Sequence, residues 1–403
     1  MRSGNATFMK SQSSSQTFWR LSFIYAMLYA PYATITPYFQ QFLALRGCSP
    51  SQLGNIQGAL ELMAIISPLV WGWLSGVTGR NAAFLALSVF LSIPTFLLLN
   101  VGLSISPIAA IVAASLFGLM FKAGTALTDG MAFCHLRQHG GDFGHIRIGG
   151  SIGYLFFVAC VDCLYRLFSP VRPNLIIATI TIGFLLQLGS MALIPKSCAR
   201  VEPNRIKDTS APPLRFLTRP FVMITVIAFL GRFAMMSYYS FFSRYLTDVY
   251  HCQVVGYIWA FGSLCEIPMI FFSGAIAKRI GIRGLLTLAM LGITLRLAGF
   301  SVESNMTVLF CLQPLHMFTL GAYQCASLMY VAQLFPANRQ SQAHSVFSAL
   351  TVGLGGLLGS AVGGYVLEIF SYKALYTSFS VVGFIGLLLI PLLPSVKFES
   401  QKQ

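Results

Sequence analysis

Charged residues are scarce in this chain. Only 9% of its 403 residues are Asp, Glu, Lys or Arg, and 56% are hydrophobic, whereas a soluble domain carries about a quarter charged residues. The shortage excludes an ordinary soluble domain and predicts an integral membrane protein. Acidic residues are especially few, 11 against 26 Lys and Arg, which gives a net charge of +15. In a membrane protein this excess is typical of cytoplasmic loops and requires no nucleic-acid partner.

Signatures of catalysis and of a disulfide framework are also missing. The nine cysteines are an odd number and lie mostly in apolar runs, so we interpret the Cys160 and Cys163 pair as packing residues. No nucleophile triad, HExxH, P-loop or zinc spacing occurs. We therefore expect no enzyme activity, no cofactor and no metal. The apolar run after Phe18 is too long for the core of a signal peptide and is expected to remain as the first helix.

Apolar runs bounded by Gly, Pro and charge predict an all-α membrane protein with twelve transmembrane helices in two pseudo-symmetric halves of six. The predicted spans lie near 18–45, 51–76, 82–101, 106–134, 145–168, 174–195, 220–247, 253–276, 284–301, 306–334, 341–369 and 373–394. The predicted division is a tail at 1–17, a six-helix bundle at 18–195, a polar linker at 196–219, a second bundle at 220–394 and a tail at 395–403.

The distribution of Lys and Arg predicts the orientation of these spans. When both termini and the linker are placed inside the cell, seventeen of the 26 basic residues fall in cytoplasmic segments and five in outer loops. An excess of Lys and Arg in inner loops is the usual pattern of membrane proteins. We therefore expect a multi-pass protein of the cell inner (cytoplasmic) membrane with both termini in the cytoplasm.

A weak internal repeat supports the two halves. Gly54, Gly72 and Gly79 recur 202 residues later as Gly256, Gly274 and Gly281. Two halves related by such a repeat are the plan of a major facilitator transporter. The loop at Gly72, Gly79 and Arg80 resembles that superfamily's signature Gly-x-x-x-Asp-x-x-Gly-Arg, which implies a gating loop, but Gly76 stands where the Asp belongs.

Eight polar or charged residues lie at depth inside the predicted spans. A charge at the bilayer centre costs about 2.5 to 3.5 kcal/mol, so each such residue is a candidate for function. The spacing of seven between Lys122 and Asp129 places both on one helix face. The set contains four basic residues, three acidic residues and one histidine, and a carboxylate solute would balance the excess of one positive charge. The eight are Glu61, Lys122, Asp129, Arg147, Arg232, Glu266, Arg296 and His316.

Three segments resemble the proton-coupled oligosaccharide, nucleoside and phenylpropionate permeases, the relatives of lactose permease. Residues 142–154 are similar to their pattern Tyr/Phe-Gly-x-x-Arg-x-x-Gly-Ser/Cys-x-Gly-aromatic. Residues 312–318 are similar to Leu-x-x-Leu-His-x-Phe in their tenth helix, and residues 259–268 resemble the eighth helix of the phenylpropionate branch. The resemblance implies a proton-coupled permease and is diffuse over the rest of the chain.

The resemblance also implies roles for individual residues. Asp129 and Arg147 stand at the spacing of the carboxylate and Arg that bind sugar hydroxyls, and Tyr154 takes the place of a stacking Trp. Lys122 and Arg232 join the predicted substrate-binding set because of their depth inside the spans and not because of the resemblance, and Glu61 is one further charge at depth that is a candidate for function.

Arg296 and His316 match an Arg and a His of the family's proton-coupling network. Thr319 occupies the position of that network's proton-carrying Glu, Gln313 replaces its Lys, and Ser263 stands where the helix-eight carboxylate belongs, three positions before Glu266. Glu266 therefore becomes the predicted proton carrier. His316 either relays protons or holds helices together through a hydrogen bond, and the sequence leaves both roles open.

The function expected from these features is proton-coupled symport of a small polar or anionic solute, with a small organic acid favoured, by alternating access. The predicted partners are that solute, protons and the lipid bilayer, and no nucleic acid. Three alternatives stay open: a proton-coupled sugar or nucleoside permease, a uniporter, and, from a different class, a membrane sensor or enzyme that transports nothing.

Overall fold

The structure is a computed structural model that describes residues 2–140, 143–195, 199, 218–302, 305–336 and 339–395. The chain is all-helical in this described part. The predicted linker lies almost wholly outside the described residues, apart from Ala199, Thr218 and Arg219, where a helix begins. Asp142 and most of the predicted C-terminal tail also lie outside them.

Fourteen α-helices follow one another along the described residues. The first seven are α1 (Arg2–Leu45), α2 (Pro50–Thr78), α3 (Asn81–Ile105), α4 (Pro107–Phe121), α5 (Ala123–His139), α6 (Phe143–Leu167) and α7 (Pro173–Ser190). The other seven are α8 (Arg219–Tyr250), α9 (Gly256–Ser301), α10 (Met306–Cys311), α11 (Tyr323–Leu334), α12 (Gln340–Ser348), α13 (Gly355–Ile369) and α14 (Tyr372–Leu389).

Ten of the described helical stretches are long and apolar enough to cross a membrane. They are Pro50–Thr78, Asn81–Ile105, Pro107–Arg137, Phe143–Leu167, Pro173–Leu193, Arg219–Tyr250, Gly256–Ser301, Met306–Leu334, Gln342–Ile369 and Tyr372–Leu392. Large apolar side chains such as Ile108, Leu167 and Phe271 are exposed on their outer faces. Such wide apolar exposure is unusual for a soluble protein. The chain is a multi-pass membrane protein.

The helix α9 covers two of the predicted spans. It is 46 residues long, and Gly281 inside it has the non-helical angles φ 76 and ψ 163. Gly79, its partner in the sequence repeat, also has a positive φ of 68 in the turn between α2 and α3. Only glycine adopts such angles without a steric cost. The two glycines that are related by the sequence repeat therefore also share a positive φ.

The described chain forms two compact units. The first unit contains Met1–Arg46 and Ile66–Ser210, and the second contains Gly47–Ile65 and Ala211–Gln403. The start of α2 thus belongs with the second unit, whereas the predicted division places all of α2 in the first bundle. This part of α2 approaches α13 through glycine, because a Cβ on Gly54 or Gly364 would collide with the backbone of the other helix.

Candidate functional site

Three glycines explain how α1 and α6 meet in the first unit. A Cβ added to Gly149 or Gly153 would collide with the backbone of α1 at Ser22 or Ala26, and one on Gly150 would collide with the ring of Tyr29. Small residues let membrane helices approach closely. The glycines of the predicted motif therefore bring the tyrosines of α1 up to Arg147 on α6.

The first charged cluster combines α1, α5 and α6. Arg147 Nη1 lies 3.8 Å from Asp129 Oδ1, and the two side chains are 43% and 30% exposed. The Tyr25 hydroxyl donates to Asp129 Oδ1 at 2.6 Å, and Arg147 Nη2 donates to the Tyr29 hydroxyl at 3.3 Å. Asp129 thus has a short hydrogen bond and an ion pair, whereas the guanidinium of Arg147 forms longer contacts and stays accessible. The sequence-predicted pair comes together in the fold.

Two other predicted binding residues lie in the same unit, and one of them contacts this cluster. The ring of Tyr154 meets the ring of Tyr29 edge to face, with centroids 6.4 Å apart. Lys122 stands between α4 and α5, and its Nζ lies 5.9 Å from the centre of the Phe121 ring. Tyr154 therefore contacts the cluster through Tyr29, and Lys122 interrupts the regular helix seven residues before Asp129.

The second cluster is buried in the second unit around Arg296, whose side chain is only 2% exposed. Its Nη1 lies 2.8 Å from His316 Nδ1 and 3.3 Å from Thr319 Oγ1, and its Nη2 donates to Gln313 Oε1 at 2.7 Å. The Tyr238 ring stacks on the guanidinium, with the ring centre 4.0 Å from Arg296 Cζ. All of these partners are neutral groups or a histidine.

The contact with Arg296 determines which nitrogen of His316 carries the proton. A guanidinium only donates hydrogen bonds, so His316 Nδ1 must accept and the neutral ring carries its proton on Nε2. Nε2 faces Glu266 Oε2 at 3.9 Å, which is too long for a direct hydrogen bond. His316 thus stands between Arg296 and Glu266.

Irregular helix geometry accompanies this cluster. Between α10 and α11 the chain passes through a 3-10 turn at Gln313–Leu315 and a π-helix at Met317–Ala322. Pro314 cannot donate a backbone hydrogen bond, which breaks the regular ladder, and π-bulges are frequent at functional sites. The distortion falls on the residues that contact Arg296.

A third pair, Glu61 with Arg232, also lies within the second unit. Arg232 Nη2 donates to Glu61 Oε2, and the side chains are 14% and 9% exposed. The glycines at the start of α13 leave room for it, because a Cβ on Gly356 would lie 2.9 Å from Glu61 Cβ. A second π-helix, Ala349–Leu354, directly precedes them. The two charges, both predicted as site residues, are thus each other's partner.

Asp162 on α6 is absent from the sequence-based set of charges inside the spans. It is 6% exposed and accepts a hydrogen bond from the Tyr38 hydroxyl at 2.5 Å. With Asp162 included, the acids equal the four basic residues, so the predicted excess of one positive charge is wrong. The signal for it is present, since Asp162 lies inside the predicted span 145–168.

The predicted gating loop follows α2. Gly79 N donates to Ser75 O at 2.8 Å, and its positive φ turns the chain toward the exposed Arg80. The buried Asn81 then accepts from Ser75 Oγ at 2.9 Å and donates to Leu127 O on α5 at 2.8 Å. Gly72 lies one helical turn before Gly76, the position at which the signature has Asp. Asn81 thereby anchors the loop to α5.

The described residues contain no group of three or more His, Cys, Asp or Glu that could hold a metal ion. What they contain is a bundle of apolar helices with paired and hydrogen-bonded charges at depth. Such charges in a membrane protein mark the path of a solute or of protons. This is the architecture of a transporter.

Comparison with known proteins agrees. The model of the MFS_1 like family matches residues 18–378, and the chain belongs to that family. It is 24% identical to the maltose permease of Geobacillus stearothermophilus, with 90% of each chain covered. It is 21% identical to a probable 3-phenylpropionic acid transporter of Escherichia coli (strain K12), with 82% of this chain and 86% of the relative covered.

The fold is also similar to a solved structure. The nucleoside transporter NupG superimposes with a TM-score of 0.75 at 14% identity, over 94% of this chain and 98% of that one. The resemblance to major facilitator permeases is therefore confirmed. The chain is a secondary active transporter and not an enzyme, and a small molecule is its substrate.

Proposed function

We propose that this protein is a proton-coupled symporter of a small polar solute, with an organic acid as the favoured class. The observation that carries the proposal is the separation of two kinds of charged cluster. Arg147 and Asp129 are partly exposed in the first unit, whereas Arg296, His316 and Glu266 form a largely buried set in the second. The first suits a solute that enters and leaves, and the second suits a proton.

Solute binding is assigned to Arg147, Asp129 and the tyrosines beside them. Asp129 already accepts from Tyr25 at 2.6 Å, whereas among the described residues the polar contacts of Arg147 are the 3.8 Å ion pair and the 3.3 Å hydrogen bond to Tyr29. The guanidinium is therefore the group with donors to offer. Carboxylate oxygens bind a guanidinium in a bidentate, charge-assisted manner, which favours an acid, and hydroxyls are weaker acceptors.

Proton coupling is assigned to Glu266. It is a carboxyl whose Oε2 faces the Nε2 of His316 at 3.9 Å, and the Nδ1 of the same ring accepts from Arg296 at 2.8 Å. A change in the distance between Arg296 and Glu266 during transport would change the affinity of the carboxyl for a proton, since a nearby cation stabilises the carboxylate. His316 accepts from Arg296 in this arrangement, which supports a hydrogen-bonding role for it.

We also propose that the chain crosses the cell inner membrane twelve times. Both termini and the 196–219 linker then lie in the cytoplasm. The 46-residue α9, broken at Gly281, accounts for two spans, and α1 provides the first. The charge asymmetry of the loops supports the orientation. Single cysteines in the linker should resist an impermeant thiol reagent added outside intact cells; labelling from outside would contradict the orientation.

Transport by the purified protein in liposomes tests the function. Carboxylates, sugars and nucleosides are first compared for thermal stabilisation, because a ligand that binds the native state raises its apparent stability. The stabilising solute is then offered to liposomes with an alkaline interior, and internal pH is followed with a dye. We expect a carboxylate to accumulate as protons enter. Accumulation of a sugar or nucleoside only would refute the solute class, and uptake without proton movement would establish a uniporter.

A further inference from the structure

An open groove lies on the second unit, between the second part of α9 and the end of α14. Its volume is about 580 Å³, which is within the range of ligand sites in proteins. It shares no lining residue with either charged cluster. Its lining is mostly apolar with one charged side chain, and it includes Arg283 and Thr287 of α9 and Leu387, Leu388 and Pro391 at and after the end of α14.

Arg283 supplies the charge of this groove. Its Nη2 donates to Pro391 O at 3.0 Å and to Ile390 O at 3.5 Å, which ties α9 to the turn after α14. The Tyr330 hydroxyl holds the same end of the chain from α11, because it donates to Pro394 O at 2.7 Å. A guanidinium has five N–H donors, and those on Nε and Nη1 of Arg283 have no acceptor among the described residues. The side chain is therefore held in place and still offers donors to a ligand.

The charge near the groove has one sign. Lys278 and Arg279 lie just before the break in α9 at Gly281, within five residues of Arg283, and both are exposed. Residues 267–302 and 369–395, which include the whole lining, contain no Asp or Glu. Basic pockets between membrane helices bind anionic lipid headgroups. The groove therefore favours an anion at its basic end.

Exposed apolar side chains continue from the groove along the helices. On α9, Leu291 and Leu295 follow Thr287 at intervals of four, which places all three on one face, and both leucines are exposed, as is Leu388 on α14. Leu295 is twelve residues beyond Arg283, which is about 18 Å along a helix. Half of the hydrocarbon core of a bilayer is about 15 Å thick. The face thus has the length of one layer of lipid chains, with a basic group at one end.

We propose that this groove binds an anionic phospholipid, with its phosphate on Arg283 and an acyl chain over Leu291 and Leu295. A guanidinium binds phosphate through paired, charge-assisted hydrogen bonds. A headgroup with a net negative charge, such as phosphatidylglycerol, balances the basic residues, whereas Lys278 and Arg279 repel the cation of a zwitterionic headgroup. A free phosphate would satisfy Arg283 and leave the apolar face uncovered. The proposed orientation places the site in the inner leaflet, but the choice of lipid does not depend on that orientation.

Thermal unfolding of the purified full chain in detergent micelles tests the site. Three additives are compared: phosphatidylglycerol, phosphatidylcholine with the same acyl chains, and glycerophosphoglycerol, which is the anionic headgroup without chains. We expect phosphatidylglycerol to give a saturable rise of about 2 to 4 °C in Tm. Phosphatidylcholine should need about a tenfold higher concentration for the same rise, and glycerophosphoglycerol should give none over the same range.

Variants identify the residues that select the lipid. Arg283→Gln should raise the half-saturating concentration of phosphatidylglycerol about tenfold or more, because charge-assisted hydrogen bonds to the phosphate are lost. Arg283 also holds the turn after α14, so Lys278→Gln serves as a second variant that leaves this contact intact; removal of one charge near the headgroup should raise the concentration about fivefold. Arg137→Gln is the control, since it removes an exposed arginine at the end of α5 in the other unit, and it should leave the response unchanged.

Equal half-saturating concentrations for the two phospholipids would overturn the proposal and make the groove part of the ordinary lipid boundary. An undiminished response in Arg283→Gln, or an equal response to glycerophosphoglycerol, would also overturn it. A structure determined in nanodiscs of phosphatidylglycerol provides a second measurement, in which we expect phosphate density within hydrogen-bond distance of Arg283. A groove that is empty or filled by the protein's own chain would contradict the proposal. None of these results depends on solute transport, so failure here is distinguishable from failure of the symport proposal.

Discussion

The two charged clusters differ in burial and in how their arginines are neutralised. In the first unit, Arg147 is 43% exposed and lies 3.8 Å from an acid, Asp129. In the second, Arg296 is 2% exposed and its hydrogen bonds go to neutral groups and a histidine. In a partly exposed pair, one partner can be exchanged for a solute at a low cost in free energy. In a buried set, the gain or loss of a single proton changes the balance of charge. The contrast is the basis for assigning solute and proton to different units.

The Glu61 and Arg232 pair is the reference for a largely buried, directly paired arginine, and the largest effect is expected there. Glu61→Gln or Arg232→Gln alone leaves an uncompensated charge, which should cost about 3 to 5 kcal/mol of stability. The double variant Glu61→Gln with Arg232→Met removes both charges and should recover most of the loss. The free energy of unfolding measured in lipid for the three variants checks this. Single variants as stable as the wild type would show that an unpaired charge at this position does not lower the free energy of unfolding.

Arg147→Lys tests the partly exposed cluster of the first unit. Lysine keeps the charge but loses the planar, bidentate geometry, and losing a hydrogen bond to a charged solute costs about 1.5 to 3 kcal/mol. We expect solute affinity to fall about 10- to 100-fold, measured by direct binding. Arg166→Lys changes an exposed arginine at the end of the same helix and serves as the control. Normal affinity in Arg147→Lys would remove Arg147 from the solute site.

A smaller effect is expected from Tyr25→Phe. It removes the 2.6 Å hydrogen bond to Asp129 but no donor to the solute, so we expect a loss of about 0.5 to 1.5 kcal/mol, below the 1.5 to 3 kcal/mol of a bond made directly to a charged group. Affinity should then fall about 2- to 10-fold. Tyr38→Phe is a matched control on the same helix, because it removes an equivalent bond to Asp162. Binding isotherms that are equally affected in both variants would show that the loss is general and does not come from the solute site.

Parts of both clusters could be predicted from sequence, because the spacings of Asp129 to Arg147 and of Arg296 to His316 match those of the lactose permease relatives that the chain resembles. The pairing of Glu61 with Arg232 could not, since 171 residues separate them and no pattern specifies which buried charges meet. Which tyrosine contacts which arginine was also beyond prediction. Aromatic side chains pack in most membrane helices, and their position beside a charge depends on how closely the glycines let the helices approach.

The same limit applies to the fold. Apolar runs predicted where helices lie, and the break in α9 at Gly281 falls between two predicted spans. No sequence pattern indicates that the start of α2 packs with the second unit, because this depends on close approach between Gly54 and Gly364, and such contacts follow from tertiary packing.

Glu266→Gln tests the central claim most directly, because glutamine resembles a carboxyl that cannot release its proton. In liposomes, counterflow exchange requires only that the loaded carrier change conformation, whereas accumulation also requires proton release inside. We expect Glu266→Gln to lose accumulation driven by a pH gradient and to retain exchange close to the wild-type rate. Glu368→Gln, at an exposed carboxylate on α13, should retain both. Accumulation against a gradient by Glu266→Gln would contradict the assignment of the proton to the buried cluster.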